Sequence, residues 1–142
     1  MESVQNNELL ADLGLQAESL DNQAEYIRSI REGISGKVVQ RTVKIFDNRD
    51  IVVRILDTTS SNLHRYYRVK KMNRTDSEEM LDTIRLYRQA SRVFGGVEKA
   101  KEWVKTPLQS LAGDKPEDLF DTFEGRNWVS QTLRKIEFGE FT

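Results

Sequence analysis

The stretch TDSEEMLDTIRLYRQASRVFGG, residues 75–96, decides the fold class. Its inward-facing positions alternate by four and three residues, at Met80, Ile84, Tyr87, Ser91 and Phe94. This spacing is typical of one face of an α-helix. Thr75 and Glu78 have the spacing of a capping box, and Gly95 and Gly96 end the pattern. The stretch is therefore predicted to form one long helix.

Shorter segments on both sides have the same helical spacing. In chain order, we predict helices around residues 20–27, 39–46, 50–56, 97–104, 116–120 and 122–136. The first is expected to bury Leu20, Ala24 and Ile27 and to stop at Gly33, and the last to stop at Gly139. The β-branched residues of DIVVRIL, residues 50–56, would also suit a strand, but the neighbouring segments favour a short buried helix. Because strand patterns are otherwise nearly absent, the predicted fold class is all-α, a helical bundle.

The composition of the 142 residues excludes several classes of protein. The absence of cysteine excludes disulfide frameworks and thiolate chemistry, and no run approaches the roughly 18 apolar residues of a membrane span. His64 is the single histidine, and there is neither an HExxH motif nor a glycine-rich phosphate loop. We therefore expect a non-enzymatic protein with no catalytic residue, cofactor, metal or small-molecule substrate. Because residues 1–10, MESVQNNELL, lack the features of a secretory signal, the expected location is the cytoplasm, without a membrane partner.

The net charge of -1 is an average over three segments of different charge. Residues 1–27 carry six acidic residues and no basic one. Residues 28–74 carry twelve basic against four acidic residues, and residues 75–142 carry ten basic against thirteen acidic ones. A strongly basic block is typical of a nucleic-acid contact surface. The alternative is a basic face that only neutralises the acidic first segment.

Within the basic block, residues 49–71 have the pattern of a helix-turn-helix. A short apolar helix is followed by a polar break at residues 57–59 and by a predicted basic helix over residues 60–71. The second helix of this motif lies in the DNA major groove, where cationic side chains neutralise phosphates and amide or guanidinium groups read base edges. The candidate DNA contacts are therefore the polar residues of that helix: Ser60, Ser61, Asn62, His64, Arg65, Arg68, Lys70 and Lys71. Asp57 occupies the turn, where many such proteins carry glycine, and the alternative is a solvated basic helix in an ordinary bundle.

Four short motifs, in order, resemble the antitoxins of the Xre/MbcA/ParS family. Phe94-Gly95 followed by Ala100 and Trp103 resembles the family's Phe-Gly helix end and its Ala–Trp helix. The other three motifs are Gly113-x-x-Pro116-x-x-Leu119, Thr122-x-x-Gly125 and the closing Ile136-Glu137-Phe138-Gly139-x-Phe141. The resemblance covers residues 36–142, about three-quarters of the chain, and leaves out residues 1–35.

The resemblance implies a function and a division of the chain. Family antitoxins have an Xre-like helix-turn-helix region that binds operator DNA, and a small helical domain that binds a RES-domain toxin. Those toxins consume NAD, the antitoxin's C-terminal end obstructs their active site, and the complex represses its own operon. We therefore expect an acidic helical extension at residues 1–35, the helix-turn-helix region at residues 36–75 and the toxin-binding domain at residues 76–142. The expected partners are a RES-domain toxin, operator DNA and a second copy of the chain in a homodimer.

The expected toxin-binding residues lie on the last helix and after it: Arg126, Arg134, Glu137, Phe138, Gly139, Glu140, Phe141 and Thr142. The two phenylalanines would act as aromatic anchors in the toxin cleft. The carboxylates would meet basic residues that normally hold a phosphate-bearing cofactor, and the arginines would form ion pairs at the rim. The alternative is that Phe138 and Phe141 fold back onto the protein's own core.

Two functions of different classes are compatible with the sequence. The first is an antitoxin that occludes a RES-domain toxin and represses its own operon. The second is a free-standing helix-turn-helix transcriptional regulator without a toxin partner. A helical scaffold domain is a third, less specific possibility.

Overall fold

The structure, a computed structural model, describes residues 2–139 and the side chains of residues 8–139. Within residues 2–139 the chain forms nine α-helices, two short 3-10 helices and no strand, which confirms the predicted all-α fold. The α-helices are α1 (Glu2–Leu13), α2 (Glu18–Asp21), α3 (Gln23–Glu32), α4 (Lys37–Phe46), α5 (Arg49–Ile55), α6 (Leu63–Tyr66), α7 (Arg74–Phe94), α8 (Val97–Val104) and α9 (Phe123–Phe138). The 3-10 helices, Gln109–Leu111 and Pro116–Leu119, lie between α8 and α9. None of the helices in this described part is long and apolar enough to cross a membrane.

The longest helix, α7, is the element against which α1, α3, α8 and α9 pack. The stripe predicted from its spacing is buried at the first four positions and half-buried at the fifth. The Tyr87 ring stacks on Phe46 of α4, with ring centroids 4.2 Å apart. Phe120, which follows the second 3-10 helix, meets both rings edge-on. Such aromatic contacts add to the burial of apolar area and tie three distant parts of the chain together.

One hydrophobic core joins residues from the whole described chain. Leu9 and Leu13 of α1 are buried in it, together with Leu63 of α6 and Val129 of α9. The three predicted segments, 1–35, 36–75 and 76–142, therefore share one core. Their boundaries stay predictions about function.

Most of the predicted helix ends are confirmed. Gly33, Gly95 and Gly139 follow α3, α7 and α9 with positive φ angles of 92°, 84° and 68°. Glycine adopts these angles without the steric cost of a Cβ atom. At the start of α9, the Thr122 hydroxyl oxygen accepts a hydrogen bond of 2.9 Å from the Gly125 N–H, as a helix cap does.

The predicted capping box at Thr75 and Glu78 is wrong. Helix α7 begins at Arg74, and the Asn73 side-chain oxygen accepts a hydrogen bond of 2.8 Å from the Asp76 N–H. An asparagine directly before the helix satisfies one of its free N–H groups, so Thr75 already lies inside the helix.

The buried face of the first predicted helix, residues 20–27, is also wrong in part. Leu20 is buried, but Ala24 is exposed and Ile27 is 41% exposed. The chain breaks at Asn22, whose side chain caps α3, so Leu20 belongs to a different helix from the other two. The buried residue of α3 is Ile30.

The basic helix predicted over residues 60–71 is wrong in extent. Helix α6 contains only Leu63–Tyr66, and the chain then leaves the helical path. The cause is a pairing with a distant loop. The Gly36 N–H donates to the Val69 carbonyl oxygen, and the Met72 N–H donates to the Ile34 carbonyl oxygen, both at 2.8 Å. These two bonds hold residues 69–72 beside residues 34–36 and prevent α6 from continuing.

Gly36 lies too close to the end of α6 for a side chain to fit. A Cβ atom on Gly36 would overlap the backbone carbonyl of Tyr66. We predict that Gly36→Ala lowers the free energy of unfolding by about 3 kcal/mol, because backbone atoms cannot move aside as a flexible side chain can. Urea denaturation followed by circular dichroism measures this change.

Gly95→Ala is the matched control for that variant. Its Cβ atom would meet nothing within 4 Å, so the expected cost is only about 1 kcal/mol for the left-handed backbone conformation. Equal losses of stability in the two variants would contradict the close approach of residues 34–36 to α6.

Candidate functional site

The C-terminal end of α9 presents an aromatic side chain to solvent. Phe138 is the last residue of α9 and is 69% exposed. Gly139 follows in a left-handed conformation and ends the helix. Phe138 therefore does not fold back onto the core, which was the alternative considered from the sequence.

The other predicted toxin-binding residues fall into three groups. Arg134 is exposed one turn before Phe138. Glu137 is exposed and pairs with Arg92 of α7, with Oε2 3.7 Å from Nε. Three residues lie outside the described part of the chain: Glu140, Phe141 and Thr142.

Arg126 does not belong to this exposed set, and the prediction that it forms rim pairs is wrong. Its side chain is buried, and the residue is only 3% exposed. The guanidinium contacts the Asp82 carboxylate at 2.6 Å and the Glu79 carboxylate at 3.0 Å. It also donates to the Phe120 carbonyl oxygen at 2.8 Å. Since a buried charge is stable only with such partners, Arg126 fastens α9 to α7 and is not available to another protein.

An open groove runs between α7 and α9. Its floor is a reciprocal pair, in which the Gln89 amide N–H donates to the Ser130 carbonyl oxygen at 3.2 Å. The Ser130 hydroxyl donates in turn to the Gln89 amide oxygen at 2.8 Å. Both residues line two adjoining cavities, one of about 230 Å³ beside Phe123 and one of about 610 Å³ beside Phe138. The groove therefore extends along α9 between its two exposed phenylalanines.

Four arginines line this groove: Arg85, Arg92 and Arg134, and in the smaller cavity the buried Arg126. Arg85 donates to the Asp82 carboxylate at 2.9 Å, and its guanidinium carbon lies 4.2 Å from the centre of the Tyr26 ring. Burial raises the pKa of Tyr26 to about 12, against an opposing effect of Arg85, so the phenol is neutral at physiological pH. A neutral ring face attracts the guanidinium and holds it in place.

This groove was not predicted from the sequence. The spacing of Arg85, Gln89 and Arg92, by four and three residues, does indicate one polar face of α7. The wall formed by α9 could not be predicted from the sequence, because the hydrogen-bonded pair at the floor joins residues 41 positions apart. A local pattern does not show which helix covers a given face.

The predicted DNA-binding residues lie on α6 and the segments beside it. Asn62 is half-buried, and the other seven are exposed: Ser60, Ser61, His64, Arg65, Arg68, Lys70 and Lys71. The Ser60 carbonyl and hydroxyl oxygens already accept hydrogen bonds from the Arg49 guanidinium. Among the described residues, no carboxylate lies within 4.0 Å of the two arginines and two lysines of this set. These four cations are free to meet an anionic partner.

The backbone conformation of the turn before α6 explains why an aspartate can occupy position 57. The predicted short buried helix is confirmed as α5, and seven residues, 56–62, connect it to α6. Asp57 has a φ of 49°, in the left-handed region that favours glycine and that aspartate tolerates better than most residues. Asp57 therefore meets the backbone requirement that glycine meets in many helix-turn-helix proteins.

Two half-buried ionisable groups, Tyr66 and Asp76, lie beside each other where α6 ends and α7 begins. Burial, with the Asp76 carboxylate beside it, raises the pKa of Tyr66, so this phenol stays neutral. Burial also raises the pKa of Asp76. Within residues 2–139, no cluster of histidine, aspartate and glutamate side chains is placed to hold a metal ion.

The comparisons with known proteins match a part of the chain that contains most of the groove and the end of α9. Residues 89–139 match a family model described as the antitoxin Xre/MbcA/ParS C-terminal toxin-binding domain. The resemblance seen in the sequence is thus confirmed over these residues. A relative from Sphingobium sp. (strain YBL2), named "Prs ADP-ribosylating antitoxin", is 35% identical over 75 residues. That alignment covers 46% of this chain and 47% of the relative, so the match spans about half of either protein.

The matched stretch includes some of the site residues and leaves out others. It contains six of the seven residues that line the larger cavity: Gln89, Arg92, Ser130, Arg134, Glu137 and Phe138. The seventh, Arg85, precedes it. It does not contain residues 60–71, the basic segment beside α6.

We predict that Arg126→Met lowers the free energy of unfolding by about 3–5 kcal/mol, because Glu79 and Asp82 would lose the charge that balances them in a partly buried place. Thermal and urea denaturation measure the loss. Arg134→Met, on the exposed face of the same helix, is the control and is expected to change stability by no more than about 0.5 kcal/mol. Similar stabilities of the two variants would show that Arg126 does not fasten α9 to α7.

Proposed function

We propose that this chain is an antitoxin of a type II toxin-antitoxin system that binds a RES-domain, NAD-consuming toxin and occludes its active site. The match of residues 89–139 to a toxin-binding domain carries the proposal. The exposed Phe138 at the end of that stretch supports the choice of the contact site.

In this proposal, the end of α9 enters the toxin cleft. An aromatic side chain with few torsions loses little entropy when it is buried in a partner, and a large exposed phenylalanine gains the most from that burial. Gly139 turns the chain away from the helix axis directly after Phe138. Glu140, Phe141 and Thr142 would then continue into the toxin cleft. There the carboxylates of Glu137 and Glu140 would take the place of the phosphate groups of the toxin's cofactor.

The name of the Sphingobium relative supports the proposal that the toxin uses NAD. It contains the words "ADP-ribosylating", and transfer of ADP-ribose takes that group from NAD. We infer that the partner of this chain uses NAD either to modify a target or to destroy the cofactor pool. Inhibition by occlusion suits both reactions, because both require NAD to enter the same cleft.

We predict that deleting residues 138–142 abolishes neutralisation of the proposed partner, a RES-domain toxin, because the deletion removes both aromatic anchors. Growth of cells that co-express the toxin measures neutralisation. Lys135→Ala, in the same last turns of α9, is the control and should protect as the unaltered chain does. Protection by the truncated chain would refute the occlusion mechanism.

A second activity, operator binding with repression of the antitoxin's own operon, is proposed from the basic segment. Arg65, Arg68, Lys70 and Lys71 are exposed, and no carboxylate of the described residues lies within 4.0 Å of them. Because α6 is a single turn, we expect these cations to contact phosphates more than base edges. A homodimer would present two such segments to two half-sites of the operator.

We predict that Arg65→Ala with Arg68→Ala weakens operator binding and lowers the slope of log affinity against log salt concentration by about 2, since each lost phosphate contact removes about 0.9. Fluorescence anisotropy between low and physiological salt measures both quantities. Arg28→Ala with Arg31→Ala on α3 is the control, because it removes the same charge elsewhere. An unchanged slope in the first variant would show that the basic segment does not bind DNA. Operator binding without any bound toxin in cells would favour the free-standing regulator.

A further inference from the structure

We propose that the groove between α7 and α9 is a second docking surface, which receives an acidic segment of the toxin at a distance from the toxin's active site. This inference rests on the proposed antitoxin function. It adds a surface, formed by the walls of two helices, to the contact made by the end of α9.

The charge of the groove selects the partner. Four arginines line it, Arg85, Arg92, Arg134 and the buried Arg126, against two carboxylates, Asp82 and Glu137. Glu137 is the one carboxylate that lines the larger cavity, and it lies 3.7 Å from Arg92. No carboxylate of the described residues lies within 4.0 Å of Arg134. A groove with this excess of guanidinium groups favours carboxylates on the occupant.

The Arg85 side chain of α7 is already held in place by the Asp82 carboxylate and the Tyr26 ring. Arg92 of α7 forms an exposed ion pair with Glu137, at 3.7 Å. Side chains that are ordered before binding lose less entropy when the partner arrives. The floor pair of Gln89 and Ser130 uses its own hydrogen-bonding groups internally, so the groove offers its free donors mainly through the arginines.

The ends of the groove set its length. Phe123 and Phe138 are both 69% exposed, and they stand at the two ends of α9. They lie fifteen positions apart on the helix, which is about 22 Å along the axis. An extended segment of about seven residues, or a helix of about four turns, has that length. Arginine between exposed aromatic residues is also the composition of interface hot spots.

The groove is continuous with the contact proposed for the end of α9. Phe138 lines the larger cavity and also precedes the residues expected to enter the toxin cleft. One partner bound at the helix end would therefore lie against the groove as well. This continuity favours the toxin as occupant over an unrelated protein.

The test compares two charge reversals of equal size in the complex formed with the proposed partner, a RES-domain toxin. Arg92→Glu with Arg134→Glu alters the groove, and Lys99→Glu with Lys135→Glu alters exposed positions outside it. We expect the groove variant to bind the toxin at least about tenfold more weakly, mainly through slower association, and the control to bind within about twofold of the unaltered chain. Surface plasmon resonance at two salt concentrations measures both rate constants.

Several outcomes would overturn the inference. Toxin binding by the groove variant with unaltered affinity would remove the groove from the interface and leave the proposed antitoxin function intact. Equal weakening by both reversals would indicate only the overall charge. Failure of the unaltered chain to bind the toxin would refute both proposals. A loss of dimer, measured by light scattering, with unchanged toxin affinity would assign the groove to a second copy of the chain.

Folding of the variants is checked independently. Circular dichroism melts of each protein show whether it is folded. Arg134→Ala alone provides a milder change at an exposed position, and it should still weaken toxin binding by about threefold, at the weak end of what a single rim charge contributes. An unaltered affinity in this folded variant would also count against the groove.

Discussion

The burial of one arginine between two helices sets the geometry of the C-terminal half. Arg126 balances its charge against Glu79 and Asp82 of α7 while it projects from α9. An unpaired charge in this place would be costly, so the two helices pack stably only in the register that brings the three groups together. The Gln89–Ser130 pair lies one turn further along α9 in the same register. The groove and the exposed helix end therefore depend on this ion network for their positions.

Much of the fold was predictable because its signals are local. The stripe of α7, the stops at Gly33 and Gly139 and the cap at Thr122 depend on residues within one or two turns of each other. The errors arise where distant residues decide. The basic stretch after Leu63 has a helical composition, but two backbone hydrogen bonds to residues 34–36 fix residues 69–72 in another path. No pattern within the stretch itself indicates that pairing.

The candidate site shows the same division between local and distant causes. The exposure of Phe138 was predictable, because it occupies the outer face of α9 next to a glycine stop. The burial of Arg126 was not, because an arginine on a polar helix normally lies at the surface and its carboxylate partners are more than forty positions away. From their charge alone, Arg126 and Arg134 were both predicted to form ion pairs at the rim of the toxin interface. Only the packing of α9 on α7 shows that Arg126 is buried and that Arg134 is exposed.

Helix α7 connects the two proposed binding surfaces. Its first turn is bonded to the residue that follows the basic segment, because the Ser77 hydroxyl donates to the Met72 carbonyl oxygen at 3.4 Å. The same hydroxyl accepts from the Ile34 N–H at 3.1 Å. Its second half forms the wall of the groove, from Arg85 to Arg92. The 21 residues of α7 contain no glycine or proline, so the helix has no kink site and spans about 30 Å. A toxin in the groove and DNA on the basic segment would therefore attach to opposite ends of one rigid helix, and neither would have to displace the other.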